Sequence, residues 1–92
     1  MAARSYLFVP GDRPERFEKA CAAGADVVIL DLEDAVTPER KNHAREAIRD
    51  WLMKGGKAWV RFNASDTQWH ADDCSLINVP GLLGVSLPKA ES

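Results

Sequence analysis

Val27-Val28-Ile29-Leu30-Asp31-Leu32-Glu33-Asp34 decides the fold. Four β-branched or aliphatic residues stand in a row without alternation, and acids follow at once. A strand that is apolar on both sides belongs in a parallel sheet covered on both faces. Upstream, Tyr6-Leu7-Phe8-Val9 is a second such run, stopped by Pro10-Gly11. Between the two, Asp12-Arg13-Pro14-Glu15 offers an N-cap, a tolerated proline and a capping-box acid. Phe17, Ala20, Cys21 and Gly24 then share one helical face, with Gly24 as the C-terminal stop. Downstream, Thr37-Pro38-Glu39 opens a helix with an apolar stripe of Ala44, Ala47, Ile48, Trp51 and Leu52. Its expected wet side is Arg40, Lys41, Arg45 and Arg49, and Gly55-Gly56 ends it. Trp59, Val60 and Phe62 supply a third strand, with Trp59 facing the core or the helix layer. Cys74–Ile77 forms a weak helical patch, and Leu82–Leu87 a fourth strand before Pro88. The order β-α-β-α-β-α-β leaves crossovers long enough to make every strand pair parallel. The chain reads as α/β, built of parallel β/α units.

Composition narrows the function classes. The chain has 92 residues, of which 46% are hydrophobic and 28% charged, as expected of one ordered domain at most. Twelve Lys and Arg against fourteen Asp and Glu leave a net charge of −2, which gives no electrostatic footprint for nucleic acid. The Val27–Leu30 run is far too short to cross a bilayer. Met1-Ala2-Ala3-Arg4 does not open onto the apolar stretch of a signal peptide. Cys21 and Cys74 lie far apart with no metal-ligand spacing, so neither a disulfide scaffold nor a zinc site is expected. Cys21 is expected to be a small buried hydrophobe, and His43 and His70 surface or loop residues. A cytoplasmic protein follows as the expectation.

Ligands of parallel α/β folds sit at the carboxyl ends of strands. The polar residues expected there are Pro10-Gly11-Asp12-Arg13, then Asp31, Glu33 and Asp34, then Arg61 and Asn63, then Lys89 and Glu91. Clustered carboxylates raise each other's pKa unless a cation compensates. Such a cluster serves proton transfer, metal binding or the ordering of an arginine, or is simply a solvated loop. Arg61 lies between Val60 and Phe62, where its planar fork suits a carboxylate ligand. Pairing with the strand-two acids is an equally direct use of that fork, and the two are compatible. Arg13 near a helix start could meet a phosphate. Lys89 faces the same mouth or is a plain surface lysine.

Four motifs, in order, carry a family resemblance: Arg4-Ser5-Tyr6-Leu7-Phe8-Val9-Pro10-Gly11, Leu30-Asp31-Leu32-Glu33-Asp34-Ala35-Val36, Val60-Arg61-Phe62-Asn63 and Leu87-Pro88-Lys89-Ala90-Glu91-Ser92. Together they resemble the N-terminal part of citrate lyase beta-subunit-like proteins of the HpcH/HpaI aldolase and malyl-CoA lyase superfamily. The resemblance implies a (β/α)8 barrel that cleaves a carbon–carbon bond of a hydroxyacyl-CoA to an oxo acid and an acyl unit, using Mg2+. It gives Arg61 the oxo-acid carboxylate and Asp31, Glu33 and Asp34 the lining of the mouth. Pro10, Gly11 and Arg13 fall on the CoA side, and Lys89 near the substrate. Related class II aldolases carry a histidine where Asp34 stands, so the resemblance favours the lyase branch. It places the metal ligands beyond Ser92, so no metal residue is assigned here. Homo-oligomers, trimers or hexamers, are expected by the same resemblance, without nucleic-acid or membrane partners. A full barrel needs about 250 residues. Residues 1–92 are therefore expected to be the N-terminal portion of one barrel domain, its first four strands. The rival expectations are a non-catalytic or truncated chain that needs the rest of the barrel or other chains, and a small α/β binding module.

Overall fold

The four apolar runs form one parallel sheet in a computed structural model that describes residues 5–88. Strands β1 (Tyr6–Pro10), β2 (Val27–Asp31), β3 (Ala58–Arg61) and β4 (Leu82–Ser86) lie side by side in sequence order. Between them run α1 (Phe17–Ala22), the long α2 (Lys41–Met53) and the single turn α3 (His70–Asp73). The register pairs Pro10 with Asp31, Asp31 with Arg61, and Arg61 with Ser86. Four polar or loop-forming positions thus share one row at the carboxyl edge.

The core lies between the sheet and the helices. Val9, Val28, Leu30, Ala58, Val60 and Phe62 meet Phe17, Ala20, Ala44, Ile48 and Leu52 there. Strand residues between them point to the other face. Among the described residues no helix covers that face, and Tyr6, Phe8 and Trp59 remain 58%, 47% and 37% exposed. In a barrel the second face is the interior, closed by strands opposite. Trp59 belongs to that face, not to the core or helix layer.

Local readings also shift. Asp12 caps nothing: its carboxylate pairs with Arg40 at 2.7 Å, and a 3₁₀ turn, Pro14–Arg16, leads into α1. An arginine from the next β/α unit outcompetes the local N–H groups. Cys21 is exposed, because α1 is only six residues long and presents a narrow buried face of Phe17 and Ala20. Lys41 and Arg45, expected on the wet side of α2, are 5% and 4% exposed. Both lie under the loops that leave β2 and β3. The weak patch near Cys74 is a 3₁₀ turn following α3, which starts at His70. Gly24 adopts φ 92° just past α1, the left-handed conformation that ends a helix most cheaply with glycine.

Gly11 closes the top of β1. Its N–H donates to the Asp31 carbonyl at 2.8 Å, and a Cβ there would lie 2.7 Å from that carbonyl and 2.9 Å from Ile48 Cδ1. Neither backbone nor core neighbour can retreat freely. Gly11→Ala is therefore expected to cost about 1–3 kcal/mol, read as a lower urea midpoint; an unchanged midpoint would show that β1 and α2 can part there.

Candidate functional site

The site is built where β2 and β3 end on the uncovered face. Asp31 is the last residue of β2 and Arg61 the last of β3, in register, so their side chains emerge together. Arg61 Nε and Nη2 donate to the two Asp31 carboxylate oxygens at 2.8 and 2.9 Å, a bidentate pair. The same carboxylate accepts the Glu33 N–H at 2.9 Å and the Ala35 N–H at 3.0 Å. Asp31 is thus saturated and buried, with 1% exposure. Arg61 is not saturated: Nη1 makes no hydrogen bond among the described residues, and the guanidinium lies 4.9 Å from the Phe8 ring centre. One edge of the fork is fixed and the other is free.

Glu33 stands 3.6 Å from Arg61 Nε and is half-buried. Its carboxyl is pushed up by burial first and then by Asp34 and Asp31, against the pull of Arg61 and Lys41. Burial pushes Asp31 up too, but the Arg61 hydrogen bonds and the two loop N–H groups outweigh it and hold its carboxyl below the ordinary aspartate value. The Asp31 hydrogen bonds raise Arg61 in turn. A depressed carboxyl contributes stability above its unfolded pKa that is lost as pH falls through the folded one. The stability gap between the protein and Asp31→Asn is therefore expected to be full near neutrality and to narrow below about pH 4. Urea melts across that range check it; a gap that stays constant to pH 3 would refute the assignment.

A second group of buried polar residues stands behind the site. Asp73, fully buried, binds Arg45 Nε at 3.0 Å and accepts both the N–H and the side-chain amide of Asn63, at 2.8 and 2.7 Å. Asn63 in turn offers its carbonyl to His70 Nδ1 at 2.8 Å. This fixes the chain two residues beyond Arg61. Lys41 Nζ donates to the Leu32 and Glu33 carbonyls at 2.8 and 2.9 Å, below the ring of Trp69. Beside it opens a cleft of about 390 Å³ lined by Glu33, Asp34, Lys41, Asn63, Thr67 and Trp69, among others.

Of the residues named from sequence, the structure brings Asp31, Glu33 and Arg61 together. Asp34 is exposed on the rim. Pro10 pairs with Asp31 at the strand end, Gly11 is buried as a packing residue, and Arg13 is exposed. Lys89 lies outside the described residues. The sequence reading missed Asp73, Arg45, Lys41 and the aromatic shelf of Phe8. Periodicity held the signal for two of them: Lys41 and Arg45 recur with Ala44, Ile48 and Leu52 on one stripe of α2. Among the described residues no group of three His, Cys, Asp or Glu side chains is placed to hold a metal ion. No helix there is long and apolar enough to cross a membrane.

Comparison with known proteins gives concordant results. The sequence model of the HpcH/HpaI aldolase/citrate lyase family matches residues 4–92. A citrate lyase subunit beta-like protein of Mycobacterium tuberculosis is 50% identical over 91 residues, covering 99% of this chain and 33% of that protein. An L-malyl-CoA/beta-methylmalyl-CoA lyase of Cereibacter sphaeroides is 45% identical over 97 residues, covering 94% of this chain and 29% of that one. The solved structure of protein CitE from Mycobacterium tuberculosis, in complex with magnesium, acetoacetate and coenzyme A, superposes with a TM-score of 0.83 at 48% identity. That match covers 99% of this chain and 34% of the CitE chain. The chain spans about a third of the length of the curated relatives it matches.

Proposed function

The chain belongs to the HpcH/HpaI aldolase/citrate lyase family, and from that premise we propose that the protein it represents is a carbon–carbon lyase of a malyl-CoA or citryl-CoA type hydroxyacyl thioester. The four β/α units then form the opening part of one barrel domain, residues 1–92. The scissile bond joins the hydroxyl-bearing carbon to the carbon next to the thioester. On cleavage the hydroxyl loses its proton and becomes the oxo group. The bonding pair stays on the thioester side as an enolate, which is then protonated.

The observation that carries the reading is the Asp31–Arg61 fork with its free guanidinium edge at the carboxyl end of the sheet. That edge suits the carboxylate and oxo oxygen of the oxo acid, whose charge it would offset as the bond breaks. Asp31, with both oxygens occupied, serves by holding Arg61. Glu33, raised and adjacent, is the group suited to take the hydroxyl proton, and Asp34 borders the entrance. Arg13 and the Pro10-Gly11 turn border the CoA side, and Lys89 is retained as a substrate contact. The relative CitE was solved with magnesium, but the described residues here do not fit that ion. They supply no three-ligand group, and Asp31 is saturated by N–H donors. A metal used by the whole protein takes its ligands from elsewhere. A thioester substrate and two unpaired cysteines favour the cytoplasm, and a homo-oligomer is retained from the family resemblance.

A second reading has its own observation. Tyr6 and Phe8 stay about half exposed on an apolar face, so the 92 residues alone would be an assembly-dependent segment without activity. Product analysis tests both. The whole protein given malyl-CoA or citryl-CoA is expected to release oxo acid and acyl-CoA in equal amounts, and the 92-residue chain to release neither. Free CoA with an intact hydroxy acid would mean thioester hydrolysis instead, and no turnover by the whole protein would remove the lyase reading.

A further inference from the structure

Lys41 is a buried ammonium with no carboxylate within 4.0 Å among the described residues, an arrangement that costs stability unless polar groups repay it. Two carbonyls do so directly, and the face of Trp69, 5.0 Å away, adds a cation–π contact. The carbonyls are specific ones. Leu32 C=O and Glu33 N–H belong to the same peptide plane. Lys41 grips its oxygen at 2.8 Å while Asp31 grips its N–H at 2.9 Å. The next carbonyl, Glu33, is also on Lys41, and the Ala35 N–H is also on Asp31. One plane is therefore held at its oxygen by a cation and at its N–H, on the opposite edge, by the anion that holds Arg61.

We propose that Lys41 is a positioning residue for the loop after β2, fixing the peptide that aims Glu33 at Arg61. The inference rests on the reading of Arg61 and Glu33 as the oxo-acid site, and it gives a second function to a helix residue outside the mouth. The peptide's orientation sets the direction of the Glu33 side chain, and its rotation would carry that carboxylate away from Arg61. The ammonium also sits in the field of Asp31, Asp73, Glu33 and Asp34, which opposes the effect of its burial. A side chain without a donor at this position leaves the Leu32 carbonyl unpaired among the described residues and the Glu33 carbonyl with only the Val36 N–H, 3.3 Å away.

The test uses the whole protein and the variants Lys41→Met and Lys41→Arg. Amide hydrogen exchange at Glu33 and Ala35 is expected to rise about ten- to a hundredfold in Lys41→Met, with Val28 and Leu30 unchanged. Lys41→Arg, which keeps a donor, is expected to recover part of the protection. In the lyase assay kcat is expected to fall about tenfold or more with a smaller change in KM. Unchanged exchange at Glu33 and Ala35 would overturn the proposal. So would a uniform rise along β2 and β3, which marks general destabilisation. Should Lys41→Met not fold, the unaltered protein decides by NMR. Slowly exchanging Lys41 ammonium protons support the clamp, and protons exchanging like those of surface lysines overturn it. Failure of the lyase assay in the unaltered protein would remove the functional reading and leave both loop measurements standing.

Discussion

Asp73→Ala is expected to destabilise the protein by about 3–5 kcal/mol, the cost of breaking a buried pair by removing one partner. Three groups lose their acceptor at once: Arg45 Nε, the Asn63 N–H and the Asn63 side-chain amide. Arg45 is the gravest loss. Its Nη2 is already buried without a partner, and its other bond, to Asn42 Oδ1, is neutral. A guanidinium left in that pocket has only an uncharged acceptor to face. Asp73→Asn keeps the shape and one acceptor oxygen, so it is expected to lose less. Urea unfolding of the whole protein and the two variants decides the matter. A loss under 1 kcal/mol for Asp73→Ala would mean that Arg45 finds water or another acid.

Arg61→Ala is expected to lower kcat/KM by about 10²–10³-fold, the size seen when one preorganised donor to a developing oxyanion is removed. Arg61→Lys is expected to recover little, because an ammonium is a point charge and cannot hold Asp31 with one edge while offering another to a ligand. Asp31→Asn separates the two functions of the fork. It leaves the guanidinium charge in place but loosens its orientation, so the loss should be smaller. Initial rates and thermal melts together keep folding and activity apart. A variant lacking Arg61 that keeps its rate within fivefold would dismiss the assigned role.

Much of the fold was legible because strands that are apolar on both faces write themselves as unbroken runs, whichever face the helices cover. Tyr6–Val9 and Val27–Leu30 needed no partner to be recognised. Asp31 and Arg61 were legible for a related reason: a charge that interrupts such a run must answer to something at the strand end. Other features depended on partners that are distant in sequence. Asp12 looked like a cap until Arg40 reached it, and Lys41 and Arg45 looked wet because their charge concealed their place on the apolar stripe. Long cationic side chains bury their stems and carry the head to whatever acceptor the tertiary fold provides. Those acceptors, a pair of loop carbonyls and Asp73, have no local signature. Which sheet face stays open was equally hidden, since both faces are apolar and only the barrel's curvature tells them apart.

The strands stand in the sheet in the order in which they are made, β1, β2, β3 and β4. Each new strand therefore finds its template in the unit synthesised just before it, and no strand has to wait for a distant one to be inserted between neighbours. Sequential pairing of this kind keeps loop closures short and lets order spread in one direction. The nascent chain can grow as a ribbon on the ribosome, adding one β/α unit at a time. The Asp31–Arg61 fork draws its two side chains from β2 and β3 alone, which are neighbours in that order.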